Sequence, residues 1–359
     1  MPWGSAGAGL RLQQKSVEKR LKESVGNSIK RRTVFFALAN VLLAGVVSTR
    51  LVAEDRPASR MLEQGRVDDA VVMLTSEVQA KPDNGDAYNL LCRAYLAEEK
   101  SQAAIAACEH AVKDDPDNSN FHLWLGRSYG QQAEHANPFS AAHLAGRVRD
   151  EMESAVRLNP RSVDARADLA DFYLEAPRLL GGGEQKAEEQ ASELSKLEPA
   201  QGDLIRARIA EKKKDFPGAE ADYRDAIRDG GGAAGPWLAL ARFYRARSRF
   251  DEMEHAIAQA TAPRLNRPDL LVGAAEMLIQ SERNPTEAQH LLERYLSSSV
   301  TAEDAPVFKA HYLLGKVLEQ QGLKTQASSQ YQTALALAKD FAPARAALER
   351  LGTRASNGP

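Results

Sequence analysis

The stretch GDAYNLLCRAYLAEEKSQAAIAACEHAVKDDPDN, residues 85–118, decides the fold of this chain. Apolar residues in its first half recur at i, i+3, i+4 and i+7, the spacing of one face of an amphipathic helix. They are Tyr88, Leu91, Cys92 and Tyr95. The second half has small residues on one face, Ala104, Cys108 and Ala111, and Pro116 ends it. The stretch therefore predicts two short antiparallel helices that pack closely.

The same pattern returns in the neighbouring units at a constant spacing. One repeat length further along the chain, the residues that match Leu91, Cys92 and Tyr95 are Leu125, Gly126 and Tyr129. One repeat length earlier, the residues that match Ala104, Cys108 and Pro116 are Ala70, Leu74 and Pro82. A register kept across neighbouring units indicates stacked repeats, because a single helical hairpin cannot bury its apolar face alone.

This pattern resembles the tetratricopeptide repeat, whose signature places aromatic residues, Leu-Gly, Tyr, Ala and Pro within a unit of about 34 residues. The resemblance implies an all-α fold, a right-handed superhelical α-solenoid of about eight helix-turn-helix repeats. We expect the solenoid at residues 54–352, with a cap helix at its C-terminal end and a disordered tail at 353–359. Longer spacings between matching residues predict inserted loops at 131–140 and 176–183.

Charge is distributed unevenly along the 359 residues. Residues 1–53 hold nine Lys or Arg and two Glu, a net charge of +7, which leaves −9 for the rest of the chain. Nucleic-acid-binding domains usually carry a basic surface. An acidic repeat region therefore argues against nucleic acid as a partner.

The N-terminal region has a basic segment followed by an apolar one. We expect residues 1–32 to be flexible, and 33–53 to be a transmembrane anchor or a signal segment, because residues 33–48 carry no charge. Contact with a membrane is expected through residues 33–48, with the basic side in the cytoplasm. The predicted location is a bacterial inner membrane, single-pass with periplasmic repeats. The alternative is a cleaved signal and a secreted or periplasmic protein.

Motifs that carry chemistry are few. The sequence contains no H-E-x-x-H, C-x-x-C or G-x-S-x-G and only two cysteines, so we expect no catalytic residue, metal or cofactor. This favours a protein-protein interaction scaffold over an enzyme. The alternative is a periplasmic accessory component, with a small-ligand or catalytic site on the loops at 131–140 and 176–183.

The two cysteines, Cys92 and Cys108, occupy facing small-residue positions of one hairpin. Close helix packing could bring their Cα atoms within the 4.4–6.8 Å that a disulfide needs. The alternative is a pair of reduced, buried thiols, since free cysteine also packs well in such positions.

The resemblance also implies a binding groove, because the first helix of each repeat lines the concave surface of such solenoids. The residue after the small packing residue is expected to face this groove. These residues are Arg93, Arg127, Asp171, Arg208, Arg242, Met277 and Lys316. Asn89 lies one turn before Arg93, and Leu238 holds the matching place before Arg242.

Five of these seven groove residues are basic although the repeat region is acidic overall. The predicted partner is therefore an extended protein or peptide segment with acidic and apolar residues, held by bidentate arginine hydrogen bonds. The alternative is that the arginines pair with carboxylates of neighbouring helices, such as Asp171, and keep the repeats in register.

Overall fold

A computed structural model of the chain describes residues 57–262, 267–299 and 301–356. These residues form seventeen α-helices, one 3-10 turn at Arg178–Leu180 and no β-strand, with an isolated bridge between Ala302 and Ala305. The helices are α1 (Pro57–Glu63), α2 (Val67–Ala80), α3 (Gly85–Ala97), α4 (Ser101–Asp114), α5 (Ser119–Glu134), α6 (Pro138–Leu158), α7 (Val163–Glu175), α8 (Glu184–Leu197), α9 (Pro199–Lys212), α10 (Phe216–Asp229), α11 (Ala234–Ala246), α12 (Phe250–Ala260), α13 (Asp269–Gln280), α14 (Pro285–Leu296), α15 (Val307–Gln320), α16 (Lys324–Leu337) and α17 (Ala342–Ser356).

The described helices pair along the chain into eight hairpins, α1 with α2 through α15 with α16, and α17 follows the last hairpin. Each helix packs against the next one, which is the local contact pattern of a repeat solenoid. The predicted all-α, right-handed superhelical solenoid is thus confirmed. Odd-numbered helices from α1 to α15 are called first helices below, and even-numbered ones second helices.

Small residues let the two helices of a hairpin approach closely. Ala104, Ala170 and Ala241 are fully buried in their units. At Gly126 an added Cβ would lie 2.9 Å from Cε of Met152 on the facing helix, which is closer than packed carbon atoms come. Small residues in the sequence therefore mark the places where a first helix packs closely on a second helix.

The short turn inside six of the eight described hairpins uses a left-handed residue. Such residues have positive φ and occur at Gly65, Glu99, Lys214, Ser248, Glu282 and Gly322. Gly65 and Glu99 hold the same place in successive units, and so do Lys214 and Ser248. A left-handed conformation strains any residue except glycine by about 1–2 kcal/mol. Several turns therefore keep their geometry without the residue that adopts it most easily.

The insertion in the third unit differs from the loop expected at 131–140. Residues 131–134 complete α5, residues 135–137 connect, and α6 begins at Pro138 and continues for 21 residues. Asn137 caps α6 by accepting hydrogen bonds from the backbone N–H groups of Phe139 and Ser140 at 3.1 Å. The extra residues thus lengthen two helices. The second insertion, 176–183, is a connection containing the 3-10 turn Arg178–Leu180.

The last unit of the solenoid returns to the first two units. The backbone N–H of Lys339 donates to Asp68 Oδ2 at 2.9 Å, and Lys100 Nζ lies 2.6 Å from Asp340 Oδ2. The turn at Gly65 lies so close to the start of α15 that an added Cβ would be 2.8 Å from the backbone nitrogen of Val307. We call these three contacts the end contact.

Two aromatic rings pack beneath the end contact. Phe308 and Phe341 meet edge to face with ring centroids 5.0 Å apart, and both are buried in the same apolar cluster as Leu62. The end contact therefore has an apolar base as well as its polar links.

The expected single-pass inner-membrane location is wrong. None of the described helices is both long enough and apolar enough to cross a bilayer. Their apolar residues form one face that packs on neighbouring helices, whereas a spanning helix has to be apolar on all sides. The segment at 33–48, on which that expectation depended, lies outside the described residues.

Candidate functional site

Three neighbouring first helices, α3, α5 and α7, bring together three charged side chains and one aromatic side chain. Arg93 on α3 and Arg127 on α5 stack on the ring of Trp124, with Cζ atoms 5.0 and 4.7 Å from the ring centroid. Arg127 Nε also donates to Oδ2 of Asp168 on α7 at 2.6 Å. We call the surface formed by Arg93, Trp124, Arg127 and Asp168 the inner face. Arginine over tryptophan is the most favourable cation–π pair.

Arg93 pairs with a carboxylate from a distant part of the chain. Nε of Arg93 donates to Glu303 Oε1 at 2.7 Å, and its Nη2 donates to Oε2, so the pair is bidentate. The two side chains are 25% and 15% exposed, which shields the pair from most of the solvent. Bidentate arginine–carboxylate pairs are the strongest of the charge-assisted hydrogen bonds.

The repeat register explains why Arg93 takes its partner from so far away. Leu169 corresponds to Leu125, so Asp168, the partner of Arg127, corresponds to Trp124 on the preceding first helix. Arg93 thus meets an indole ring where Arg127 meets a carboxylate. No carboxylate at the equivalent repeat position neutralises Arg93, and the carboxylate of Glu303, from a connection between repeats, pairs with it instead.

Open space lies on both sides of the Arg93–Glu303 pair. One cavity of about 310 Å³ extends past Trp124 and Arg127 towards Glu63 and Asp164. A second, of about 240 Å³, is lined by Leu96, Gln131, Lys309 and Phe341 in addition to the ion pair. A longer segment than the single Glu303 side chain therefore has room along the inner face.

The other basic residues of the predicted groove have different surroundings. Arg208 pairs with Asp171 and with Glu175, whose Oε1 lies 3.2 Å away, and burial lowers the pKa of this guanidinium. Arg242 is exposed and has no carboxylate within ion-pair distance among the described residues. Lys316 lies over the ring of Tyr312 at 5.9 Å. Only Arg93 and Arg127, of the five basic residues, share one site.

Three predicted groove positions are buried instead. Leu238 is 2% exposed and Met277 is 5% exposed, so both belong to the core and offer no surface to a partner. Asn89 is 3% exposed; its Oδ1 accepts a long 3.5 Å hydrogen bond from Asn120, and its Nδ2 has no partner among the described groups. Asn89 and Leu238 precede the groove residue by four positions, about 40° around the helix, which turns them towards the neighbouring helix.

Behind the inner face, tyrosines tie each first helix to the second helix before it. Tyr129 Oη donates to Glu109 at 2.6 Å, and Tyr173 Oη donates to Glu153 at 2.9 Å. Burial raises the pKa of both phenols, and the hydrogen bonds to carboxylates raise it further. These bonds hold α5 and α7 in position, so the inner face is presented by fixed helices.

The two cysteines lie behind this site, between α3 and α4. Their Sγ atoms are at bonding distance in a disulfide, with Cα atoms 5.3 Å apart. Cys92 precedes Arg93, so the bridge anchors the part of α3 that carries the arginine. No group of three or more His, Cys, Asp or Glu in the described part of the chain is arranged to hold a metal ion.

Sequence reasoning finds Arg93 and Arg127 but misses Trp124 and Glu303. Trp124 could be found from the repeat register, because an aromatic residue stands where the next unit has Asp168. Glu303 lies in a connection between repeats, outside the repeat register, so its partner cannot be read from spacing. The signal that remains is an acidic pair, Glu303-Asp304, flanked by alanines.

Comparison with known families matches two parts of the chain, residues 61–127 and 280–346, each to a family described as tetratricopeptide repeat. Tetratricopeptide repeats are therefore present at both ends of the described solenoid. The first matched part includes the α3–α4 hairpin and most of the inner face.

Among curated proteins, the chain is similar to "Peroxisome biogenesis protein 5" of Arabidopsis thaliana, with 28% identity over 126 residues. The match covers 34% of this chain and 17% of the relative, so the chain corresponds to about a sixth of that protein. What that protein does as a whole does not transfer through so short a match.

Among solved structures, the chain is similar to TTC0263, a thermophilic tetratricopeptide repeat protein of Thermus thermophilus, with 20% identity and a TM-score of 0.41. The match covers 62% of this chain and 95% of that one. Yeast Tom70 matches with 14% identity and a TM-score of 0.48, over 84% of this chain and 66% of that one.

Proposed function

We propose that this chain is a protein-interaction scaffold that binds an extended, acidic segment of a partner along the inner face. The observation that carries the proposal is the seat around Arg93, which holds a carboxylate bidentately beside the face of Trp124. A guanidinium stacked on an aromatic ring keeps its hydrogen-bonding edge free and correctly oriented for a planar carboxylate.

The dimensions of the site support a peptide ligand. Of the two cavities beside Arg93, one is also lined by Arg127 and the other by Phe341. Their linings mix apolar and charged groups, which suits a segment with acidic and small apolar residues in alternation. Repeat solenoids bind their partners on extended surfaces of this type.

The alternative of a small-ligand or catalytic site on the inserted loops is supported less well than the inner face. Residues 131–134 and 138–140 belong to helices, which leaves 135–137 as the connection. A polar cavity of about 850 Å³ lies beside the second insertion and is lined by Arg178, Glu188 and Lys213, but no three His, Cys, Asp or Glu among the described residues are arranged to hold a metal ion.

A direct test measures binding of fluorescein-labelled acidic peptides to the full chain by fluorescence anisotropy. We expect peptides with a Glu-Asp pair to bind, and peptides with Gln-Asn in its place to bind at least tenfold more weakly, since each charge-assisted hydrogen bond contributes about 1.5–3 kcal/mol. Arg93→Gln should abolish the difference between the two peptides.

The matched control is Arg224→Gln, because Arg224 also pairs with a glutamate, Glu220, but lies on a second helix away from the inner face. It should bind both peptides as the wild type does. Equal binding of acidic and amide peptides to the wild type would exclude the proposed carboxylate seat.

A further inference from the structure

The carboxylate seat at Arg93 is filled by the chain's own loop, residues 301–306, with the sequence TAEDAP. This loop follows α14 and precedes α15, and its acidic residue reaches an arginine 210 positions earlier in the chain. Asp304 stays exposed beside the pair and lines both cavities. The loop thus has the composition that the inner face suits: two acids between small apolar residues.

The loop reaches the seat with a defined shape. Ala302 and Ala305 form an isolated antiparallel bridge, in which the Ala305 N–H donates to the Ala302 carbonyl at 3.1 Å. The hydroxyl of Tyr295, a fully buried residue at the end of α14, donates to the Ala305 carbonyl. Glu303 therefore projects from the tip of a turn whose base is anchored elsewhere.

The ends of the solenoid do not depend on this one pair. Lys100 with Asp340, and Asp68 with the backbone of Lys339, also hold the first two units and the last unit together. Release of Glu303 would leave these contacts in place. The loop can then leave Arg93 without opening the end contact.

We infer that residues 301–306 are a tethered competitor: the partner presents a short acidic segment of the same kind and has to displace Glu303 from Arg93. This inference rests on the proposed function. A loop that stays attached to the chain competes at an effective concentration in the millimolar range, so it lowers the apparent affinity of any free acidic segment. It also excludes weaker segments that cannot match its bidentate contact.

The test uses the full chain and a fluorescein-labelled peptide with the sequence of residues 301–306 as the probe. Glu303→Gln removes the charge of the competitor at nearly constant size. We expect the probe to bind this variant roughly tenfold more tightly than the wild type, because the tethered carboxylate no longer competes. Combining Glu303→Gln with Arg93→Gln should remove the gain.

Asp251→Asn is the matched control, since Asp251 pairs with Arg283 on the surface of another unit, 2.9 Å away. It should leave probe binding at the wild-type value. If Glu303→Gln lowers the melting temperature, Glu303→Asp replaces it, because the shorter side chain draws the carboxylate away from Arg93 and keeps the charge. The same tightening is expected.

The outcomes separate the two proposals. Equal probe affinity of the wild type and both Glu303 variants, lost in each on Arg93→Gln, overturns the competitor role and leaves the proposed function standing. Absence of binding to the wild type and to both Glu303 variants overturns the proposed function and this inference together. Tighter binding of the Glu303 variants alone supports both.

Discussion

Single residues decide which groups the arginines of the inner face pair with. An aspartate at the position of Trp124 would pair with Arg93 on the neighbouring first helix, as Asp168 pairs with Arg127. The indole instead stacks against both arginines and leaves the hydrogen-bonding edge of Arg93 to other groups. One difference in the repeat pattern thus leaves Arg93 free to pair with Glu303, which is 210 positions away in the chain.

Glu98 is the residue for which a pH-dependent stability is expected. It is 2% exposed, its oxygens accept no well-formed hydrogen bond, and Lys100 Nζ lies 3.1 Å from Oε2. Burial raises the pKa of this carboxyl, against the opposing effect of the nearby Lys100. Its contribution to stability is therefore complete below the ordinary glutamate pKa of about 4.3 and is lost as the pH rises through the higher folded-state pKa.

Glu98→Gln should consequently melt higher than the wild type at neutral pH, by about 1–2 °C for a gain near 1 kcal/mol. The two melting temperatures should converge below about pH 4, where the wild-type carboxyl is protonated in both states. Circular dichroism melts from pH 3.5 to 8 measure this difference.

Glu193→Gln serves as the comparison for that series, because the half-exposed Glu193 pairs with Lys196 and its pKa is lowered by that hydrogen bond. It should not gain stability at neutral pH. A Glu98→Gln variant that melts lower than the wild type at pH 7 would show that the ion pair with Lys100 outweighs the burial of the carboxylate.

At the scale of the helical hairpin, the turn between the two helices has a fixed geometry and a variable residue. Ser248 is exposed and has a φ of 56°, in the left-handed region, while the equivalent turns at Gly65 and Gly322 use glycine. Ser248→Gly should raise the free energy of unfolding by roughly 0.5–1 kcal/mol, because relief of the left-handed strain exceeds the added entropy of the unfolded chain. Urea denaturation measures this change.

The same exchange in the middle of a helix should have the opposite sign. Ser192 is exposed on α8, and Ser192→Gly is expected to lower stability by roughly 0.5 kcal/mol. If both variants lose stability, strain at position 248 is too small to matter.

The hairpin of α3 and α4 has a covalent link that the other described hairpins lack. Replacing Cys92 and Cys108 together by Ala should lower the free energy of unfolding by about 2–4 kcal/mol, the range for loops of this length. Alanine fits, since Ala170 and Ala241 fill the place of Cys92 in other units. Reductant should destabilise the wild type in urea denaturation and leave the double variant unchanged.

Thiol titration gives an independent reading of the cysteines. Unfolded, unreduced wild-type protein should show no free thiol. Two free thiols together with an unaltered response to reductant would contradict the disulfide.

The hairpins could be predicted from the sequence because their information is local. Leu91, Tyr95, Ala104 and Pro116 repeat at a fixed period and determine faces and ends of helices directly. The groove could be predicted only in part, since a turn of about 40° around the helix axis separates Arg93 from the buried Asn89. Glu303 could not be predicted, because no local rule connects residues 210 positions apart.

For the solenoid as a whole, the end contact makes the first and last units neighbours. Gly65→Ala should test it, because Gly65 has a φ of 70° and a Cβ there would meet the backbone of Val307. Gly322→Ala has the same backbone strain, with a φ of 80°, and open space around its Cβ. Both variants should lose about 1 kcal/mol from strain, and Gly65→Ala roughly 1–2 kcal/mol more from the clash.

Hydrogen exchange monitored by mass spectrometry should locate that additional loss. We expect faster exchange in α1, α2 and α15 for Gly65→Ala, and in the turn between α15 and α16 alone for Gly322→Ala. Identical exchange patterns would mean that the ends do not support each other.

The end contact also sets an order of events during synthesis. The hairpins fold from neighbouring residues and can form as they leave the ribosome, whereas Asp68 meets the backbone of Lys339 only after 271 further residues have been made. At about 5–20 residues per second, that interval is on the order of 15–50 seconds. During this interval Phe308 and Phe341, which belong to the same apolar cluster as Leu62, have not yet been made. The first unit of the nascent chain therefore exposes an apolar surface to which a chaperone can bind.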